Sequence, residues 1–389
     1  MAIQVSPSVV VTERNLSDII PAVSSSVGAS VVAAQWGPIK IPTLISSEPK
    51  LAAIFGKPTD ENAGNWFPIS QFLAYSGACY VVRVDDTNAL NASTGTDQIK
   101  IHNQYLFDEE SSSVLAAAND NKLYGLFTAK YAGELGNSIR VEVCDNEAAF
   151  ATWAYKDMFS GAPKTSDQIA SITGNANAND EMHVVVIDTK GIWSGVPNAV
   201  VETYAFLSKA RNAKKDNNTS NYYATVLNNQ SMYIYALPIN AAAETLFANS
   251  NKPNLTGPAQ VEDPSIKVWG TEAVLESPVM SYDRIQGTEI PDPVDPVANA
   301  PTFGPAIYDV TMSGGQYNCD AGPAQKQEAF DVYKSAESID VSLLFLGEAD
   351  RATVRHVIDT MAESTSFSAR KDCVIFISPT KLASNATVS

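Results

Sequence analysis

Residues 306–379 read as strand, helix, strand, helix, strand, and that alternation constrains the fold more than any other feature of the chain. Residues 307–312 and 341–346 have strand composition, separated by the Gly314-Gly315 turn and a helix expected over 325–337. A second helix starts at Asp350, where Val354, Val357, Ile358 and Met361 fall at i, i+3, i+4 and i+7 and so share one face. It leads into Cys373-Val374-Ile375-Phe376-Ile377, a continuously apolar run of the kind buried on both faces of a parallel sheet. Right-handed crossovers between such strands put helices on the sheet's faces, so the expected class is α/β, or mixed α+β, with a βαβ-type core and peripheral β-rich insertions.

The start of the chain repeats the theme on a smaller scale. A strand is expected over 27–34 and another around Thr43-Leu44-Ile45. Ser47 and Pro49 then open a helix with Leu51, Ile54 and Phe55 on one side, and Gly56 and Pro58 end it. Asn65 is placed to cap a second helix carrying Trp66, Ile69, Phe72 and Leu73, with Tyr80-Val81-Val82-Arg83-Val84 as the strand that follows. Ahead of all this, Val9-Val10-Val11-Thr12, followed by the polar Glu13, is a β-branched run with too little chain before it for a core of its own; such a segment needs a sheet to join.

Between these ends the pattern weakens. Residues 139–143 alternate, 183–187 are strand-like, 198–210 read as a helix through Val200, Tyr204 and Leu207, and 222–227 and 232–237 read as strands. Composition gives the expected divisions: an arm over 1–20, an α/β domain over 21–85, a polar peripheral insertion over 86–128, and a core α/β domain in two parts, 129–237 and 306–379. A Pro- and Asn-rich excursion over 238–305 separates those parts, and 380–389 follow as a tail.

Charge narrows the partners. Asp and Glu outnumber Lys and Arg 43 to 26, a formal net charge of -17, so the surface repels nucleic acid and anionic membranes. The first residues lack the basic start and apolar centre of a signal peptide. Cys79, Cys144, Cys319 and Cys373 are widely spaced and read as reduced, mostly buried thiols; no paired Cys or His spacing suggests a metal. Gly56-Lys57-Pro58-Thr59 echoes a phosphate loop, but a helix ends there instead of beginning. The histidines His102, His183 and His356 read as structural, and the acidic pairs Asp85-Asp86, Glu109-Glu110 and Asp292 with Asp295 read as solvated loops. Tyr222, Tyr223, Tyr233 and Tyr235 are split by strand alternation between core and surface. No catalytic residue, cofactor or metal is expected.

Taken in order, short blocks of the chain resemble the tail sheath proteins of contractile bacteriophages. The opening Ser6-Pro7-Ser8-Val9-Val10-Val11-Thr12-Glu13-Arg14 is similar to that family's start, with Ser8 where a glycine is usual. Gln35-Trp36-Gly37-Pro38, Phe55-Gly56-Lys57-Pro58 and Val81-Val82-Arg83-Val84 are similar to its first domain. The run from Ala132-Gly133-Glu134-Leu135-Gly136-Asn137 through Val143, then Asn221-Tyr222-Tyr223, Ser338-Ile339-Asp340-Val341, and Arg370-Lys371-Asp372-Cys373 through Pro379 resemble its core. The resemblance implies a non-enzymatic virion protein, assembled in the host cytoplasm, that stacks with copies of itself around a tail tube. It also implies tube and baseplate proteins as partners and a contraction that drives the tube through the host envelope. Residues Val9, Val10, Val11, Thr12 and Glu13 become a tether that adds a strand to a neighbouring subunit. A receptor-binding or other virion surface protein is the alternative, and an α/β enzyme the remaining rival.

Overall fold

The computed structural model describes residues 26–95, 97–110, 125–237, 269, 283–286, 302–305, 307–319, 322–362, 370 and 372–378. In chain order these form β1 (Gly28–Val32), β2 (Thr43–Ile45), α1 (Glu48–Phe55), α2 (Ala63–Leu73), β3 (Cys79–Arg83), α3 (Gln104–Glu110), β4 (Phe127–Ala129), β5 (Ile139–Cys144), α4 (Glu147–Phe150), α5 (Asp167–Thr173) and β6 (Glu181–Asp188). There follow β7 (Ala199–Ser208), α6 (Tyr223–Gln230), β8 (Ile234–Ala236), β9 (Asp283–Gln286), β10 (Thr302–Pro305), β11 (Tyr308–Thr311), α7 (Pro323–Asp331), β12 (Leu343–Glu348), α8 (Arg351–Val357) and β13 (Val374–Ser378).

Both ends of the described chain meet in one sheet. Its order is β13-β12-β1-β3-β2, parallel except for β2, which runs antiparallel to β3. Helices α1 and α2 bury Leu51, Phe55, Trp66 and Ile69 against one face, while α7 and α8 bury Phe330, Val357 and neighbouring Met361 against the other. Gly28 opens β1 because nothing larger fits: a Cβ there would lie 2.5 Å from the Phe72 ring and 2.9 Å from that of Phe345. The α1 signals act as expected, with Pro49 in the first turn and Gly56 (φ 83°) ending the helix. Asn62, not Asn65, precedes α2. Asn65 instead donates to Val31 O (3.1 Å) and accepts from Glu348 N (3.1 Å), fastening the helix across β1 and β12.

The second unit is inserted between β3 and α7. An antiparallel sheet of order β11-β5-β6-β7 packs with the β4-β8 pair and α6 around Val141, Val184, Phe127 and Leu227.

Five expectations are corrected here. Residues 198–210 are not a helix but β7, and 222–227 are not a strand but the start of α6, which buries Tyr223, Ala224, Val226 and Leu227. The apolar spacing at Val200, Tyr204 and Leu207 fits a helix, but β7 gains a continuous ladder with β6, whose two register shifts break the simple alternation of a strand. The strands expected to complete the 129–237 core divide: β11 pairs with β5, whereas β12 and β13 pair beside β1, more than 300 residues away in sequence. Residues 89–103, expected on a polar periphery, run through the interior. Asn91 and Ser93 are fully buried there, and Ser93 bridges both Thr128 and Ser313. Finally, β13 lies at the sheet edge with Val374 57%, Phe376 50% and Ile377 44% exposed, so its apolar run does not mark a strand covered on both faces.

Candidate assembly surfaces

The two units meet at Arg83, the last residue of β3. Its fully buried guanidinium donates to the carbonyls of Ala34 (2.7 Å), Gly37 (2.8 Å) and Ala132 (2.6 Å), and lies 4.1 Å from the centre of the Tyr317 ring. Burial disfavours the charge, and the three carbonyls with the ring replace the lost water. Closeness here demands glycine: Gly133 has φ 142°, and a Cβ would fall 2.1 Å from Gln35 O. Tyr317 donates from its hydroxyl to Val84 O (2.8 Å), so the return crossing of the chain is tied to the outgoing one.

Beside this junction Asp85 collects two ammonium groups and an imidazole, Lys100 (2.8 Å), Lys40 (3.3 Å) and His102 (3.3 Å), and Lys40 continues to Glu328 (2.9 Å) on α7. Burial alone would raise the Asp85 carboxyl, but hydrogen bonds from His102 and Lys100 outweigh it and hold the group well below the usual carboxylate range. A carboxylate held ionised in this way is a weak proton acceptor, so the cluster acts as a clasp between loops and α7 and not as a general base.

The inserted unit hides its own polar groups. Lys209 and Asp145 form an ion pair at 3.6 Å with both side chains fully buried, and the Trp269 indole donates to Asp145 (2.9 Å). His183 lies flat against Phe159 (4.3 Å between rings), its Nε2 2.9 Å from Gly161 O, while Nδ1 accepts from Phe206 N (3.0 Å). That pattern fixes the neutral tautomer protonated at Nε2, and burial lowers the imidazole's affinity for a second proton. Tyr223 and Tyr235 are fully buried in separate clusters, and Tyr222 and Tyr233 pack against the one that holds Tyr223, so the tyrosines build no surface platform. His356 pairs with Asp331 (2.9 Å) between α8 and α7.

Cys79, Cys144 and Cys319 are buried and free, and burial pushes their thiols up to about 12, 12 and 11. Among the described residues no three His, Cys, Asp or Glu side chains are grouped to hold a metal ion, and no helix is long and apolar enough to cross a membrane. The arm residues Val9, Val10, Val11, Thr12 and Glu13 lie outside the described residues. The surface that sequence reasoning missed is β13, because a run of apolar residues looks the same at the edge of a sheet as in its middle.

Comparison with known proteins finds similarity to phage tail sheath proteins, in one case over nearly all the chain's length. One relative is the tail sheath protein of Salmonella phage ViI, 26% identical over 409 aligned residues that cover 96% of this chain and 60% of the relative. Another is the tail sheath protein of Vibrio phage KVP40, 28% identical over 148 residues, covering 37% of this chain and 21% of that protein. This chain therefore spans less than two thirds of the length of either. No protein-family model matches. Among solved structures, a sheath tail protein from Listeria innocua matches 88% of this chain and 46% of its own at 12% identity and a TM-score of 0.38. One from Desulfitobacterium hafniense matches 92% and 49% at 10% identity and 0.34.

Proposed function

We propose that this chain is a structural subunit of a contractile phage tail sheath, which polymerises around the inner tail tube and contracts to drive the tube through the host envelope. The observation that carries the reading is the extent of the similarity, 96% of the chain against a single tail sheath protein. The architecture is compatible with it, since a contracting lattice needs subunits that rotate as stiff bodies, and the Arg83 junction joins the two units through buried hydrogen bonds. Tube and baseplate proteins are the expected partners, in a virion tail assembled in the host cytoplasm. The protein works by packing, with no catalytic step and no cofactor.

Electron microscopy of the longest form that can be expressed tests the reading. Ordered tubes or stacked rings support it; a dispersed protein that binds host surface receptors instead sinks it.

Within this reading, Val9, Val10, Val11, Thr12 and Glu13 add a strand to a neighbouring subunit, using backbone hydrogen bonds that survive rotation of the subunits. Proline at Val10 and Thr12 removes ladder donors. The double variant should assemble poorly while its thermal unfolding stays unchanged, and normal tubes from it would end the tether hypothesis.

A further inference from the structure

One face of the antiparallel sheet is covered by a strap, residues 147–161, in the connection between β5 and α5. The strap lays Phe150, Trp153, Tyr155 and Phe159 over Cys144, Val185 and Ile187. On β5 it is fastened at two points: the Trp153 indole donates to Glu142 Oε2 (2.8 Å), and the Tyr155 hydroxyl accepts from Arg140 (3.1 Å). On β6 it is fastened through His183, whose Nε2–H donates to Gly161 O (2.9 Å) while the ring stacks on Phe159 (4.3 Å) and meets Phe150 edge-on (5.7 Å).

The other side of the same ring closes a fault in the ladder. Met182 pairs with Leu207 and Val184 with Tyr204, so His183 alone faces both Ala205 and Phe206. Phe206 takes φ 52°, a left-handed backbone that a bulky residue adopts only where its surroundings hold it. The imidazole does so, because Nδ1 accepts from Phe206 N (3.0 Å) where a strand carbonyl would otherwise stand, and Asn221 donates to Phe206 O (2.9 Å) from outside. The ring is fully buried, and a proton on Nδ1 would set one N–H against another. Ionisable neighbours are engaged elsewhere. On β5 the register partner of His183 is Cys144, and Glu142 and Arg140 further along that face bond Trp153, Tyr155 and each other. Glu181, earlier on β6, accepts from Lys164 N (3.0 Å), Lys164 pairs with Glu147 of α4, and Lys209 beyond β7 pairs with Asp145. Lys156 and Asp157, in the strap's own turn, are exposed to solvent.

We propose that residues 147–161 are an acid-released strap: a proton taken up at His183 Nδ1 deprives the Phe206 amide of its acceptor, the ring leaves its aromatic slot, and the strap lifts from Cys144 while the rest of the molecule stays folded. The sign follows from burial, which lowers the closed ring's affinity for the proton, whereas a ring released into water regains its ordinary affinity; opening is therefore favoured as pH falls through about 6.5. The device is built into the inserted unit and is read out on the isolated chain, so it and the sheath reading can fail separately.

Cys144 reports the opening, because its thiol is fully buried beneath the strap, with Sγ 3.5 Å from Asn146 O. The whole chain is treated with a dithiodipyridine, a reagent that attacks thiols in acid as well as at neutrality, and each labelled cysteine is quantified by mass spectrometry against a free peptide thiol at the same pH. Cys79 and Cys319, buried with the parallel sheet, serve as controls for global unfolding. Between about pH 7.5 and about pH 5.5 the relative rate at Cys144 should rise about tenfold, the span available to a group of ordinary pKa 6.5, with Cys79 and Cys319 unlabelled. His183→Gln, which does not titrate, should abolish that rise. A flat rate at Cys144, labelling of all three thiols together, or an acid rise that persists in His183→Gln would each overturn the proposal. Amide exchange in the parent guards against a misfolded variant: as pH falls, Phe206 N–H should lose protection while Val141 and Val186 of the same sheet keep theirs, and equal losses would count against the strap as directly.

Discussion

The two units of this molecule are held together by different means. In the parallel sheet, β1, β3 and β12 lie between two helical layers, and the groups buried there are mostly apolar, such as Val31, Val81, Leu344 and Phe330. The inserted antiparallel unit buries Asp145, Asp180, His183, Asp188 and Lys209 as well. Each is satisfied: Asp180 accepts from Ser166 N (2.8 Å) and the Ser208 hydroxyl (2.6 Å), and Asp188 from Trp193 N (2.8 Å) and Ser194 N (3.0 Å). A parallel sheet covered twice is specified by apolar layers that many sequences could supply. An antiparallel sheet with polar groups in its interior is specified by pairings that fail when one member is lost.

That contrast can be broken most sharply at the buried ion pair. Lys209→Met leaves Asp145 without its cation in a dry site and should cost about 3–5 kcal/mol, more than a large deletion in the parallel unit. Urea denaturation followed by tryptophan fluorescence measures it, and a loss no greater than that of the next variant would remove the distinction. Leu344→Ala, in the apolar layer of β12, should cost about 3 kcal/mol through lost burial and a residual cavity.

Acidification should then separate the units without mutation. His183 is held neutral, with a folded pKa below its ordinary 6.5, so the unfolded chain binds more protons as pH falls through that range. Its contribution is present above the ordinary value and is lost as pH drops below it toward the folded one. The fall in stability from about pH 7 to about pH 5 should therefore be smaller in His183→Gln than in the parent; equal falls would show that the imidazole is not the sensor. The smallest effect is expected at Asp350, whose side chain accepts from Thr353 N (2.9 Å) to cap α8: Asp350→Ala should lose about 1 kcal/mol in the same denaturation experiment.

The sequence was most readable where local chemistry and tertiary packing agree. The Asp350 cap and the pair Val354 and Val357 specify α8 by themselves, and α1 is bounded by Pro49 and Gly56. β7 misled because Val200, Tyr204 and Leu207 satisfy a helical period, whereas the residues that decide its state are those of β6, across a ladder containing two bulges. The β-branched and aromatic start of α6 misled in the opposite sense: the cover it provides for β8 and the core outweighs its weak propensity. Pairing of β12 with β1 was illegible for a simpler reason, since an apolar strand carries no mark of which distant strand it will join. Exposure of β13 was illegible as well, because it depends on where the helices of the sheet stop.

The junction at Arg83 has a mechanical meaning. The chain crosses between the units once after β3 and again before α7, and between those crossings one guanidinium grips carbonyls from both sides. A twisting load applied to the inserted unit is shared by both covalent crossings and by hydrogen bonds loaded side by side, which must yield together instead of unzipping one after another. Torque applied to one unit would thus pass to the other with little spent on bending between them.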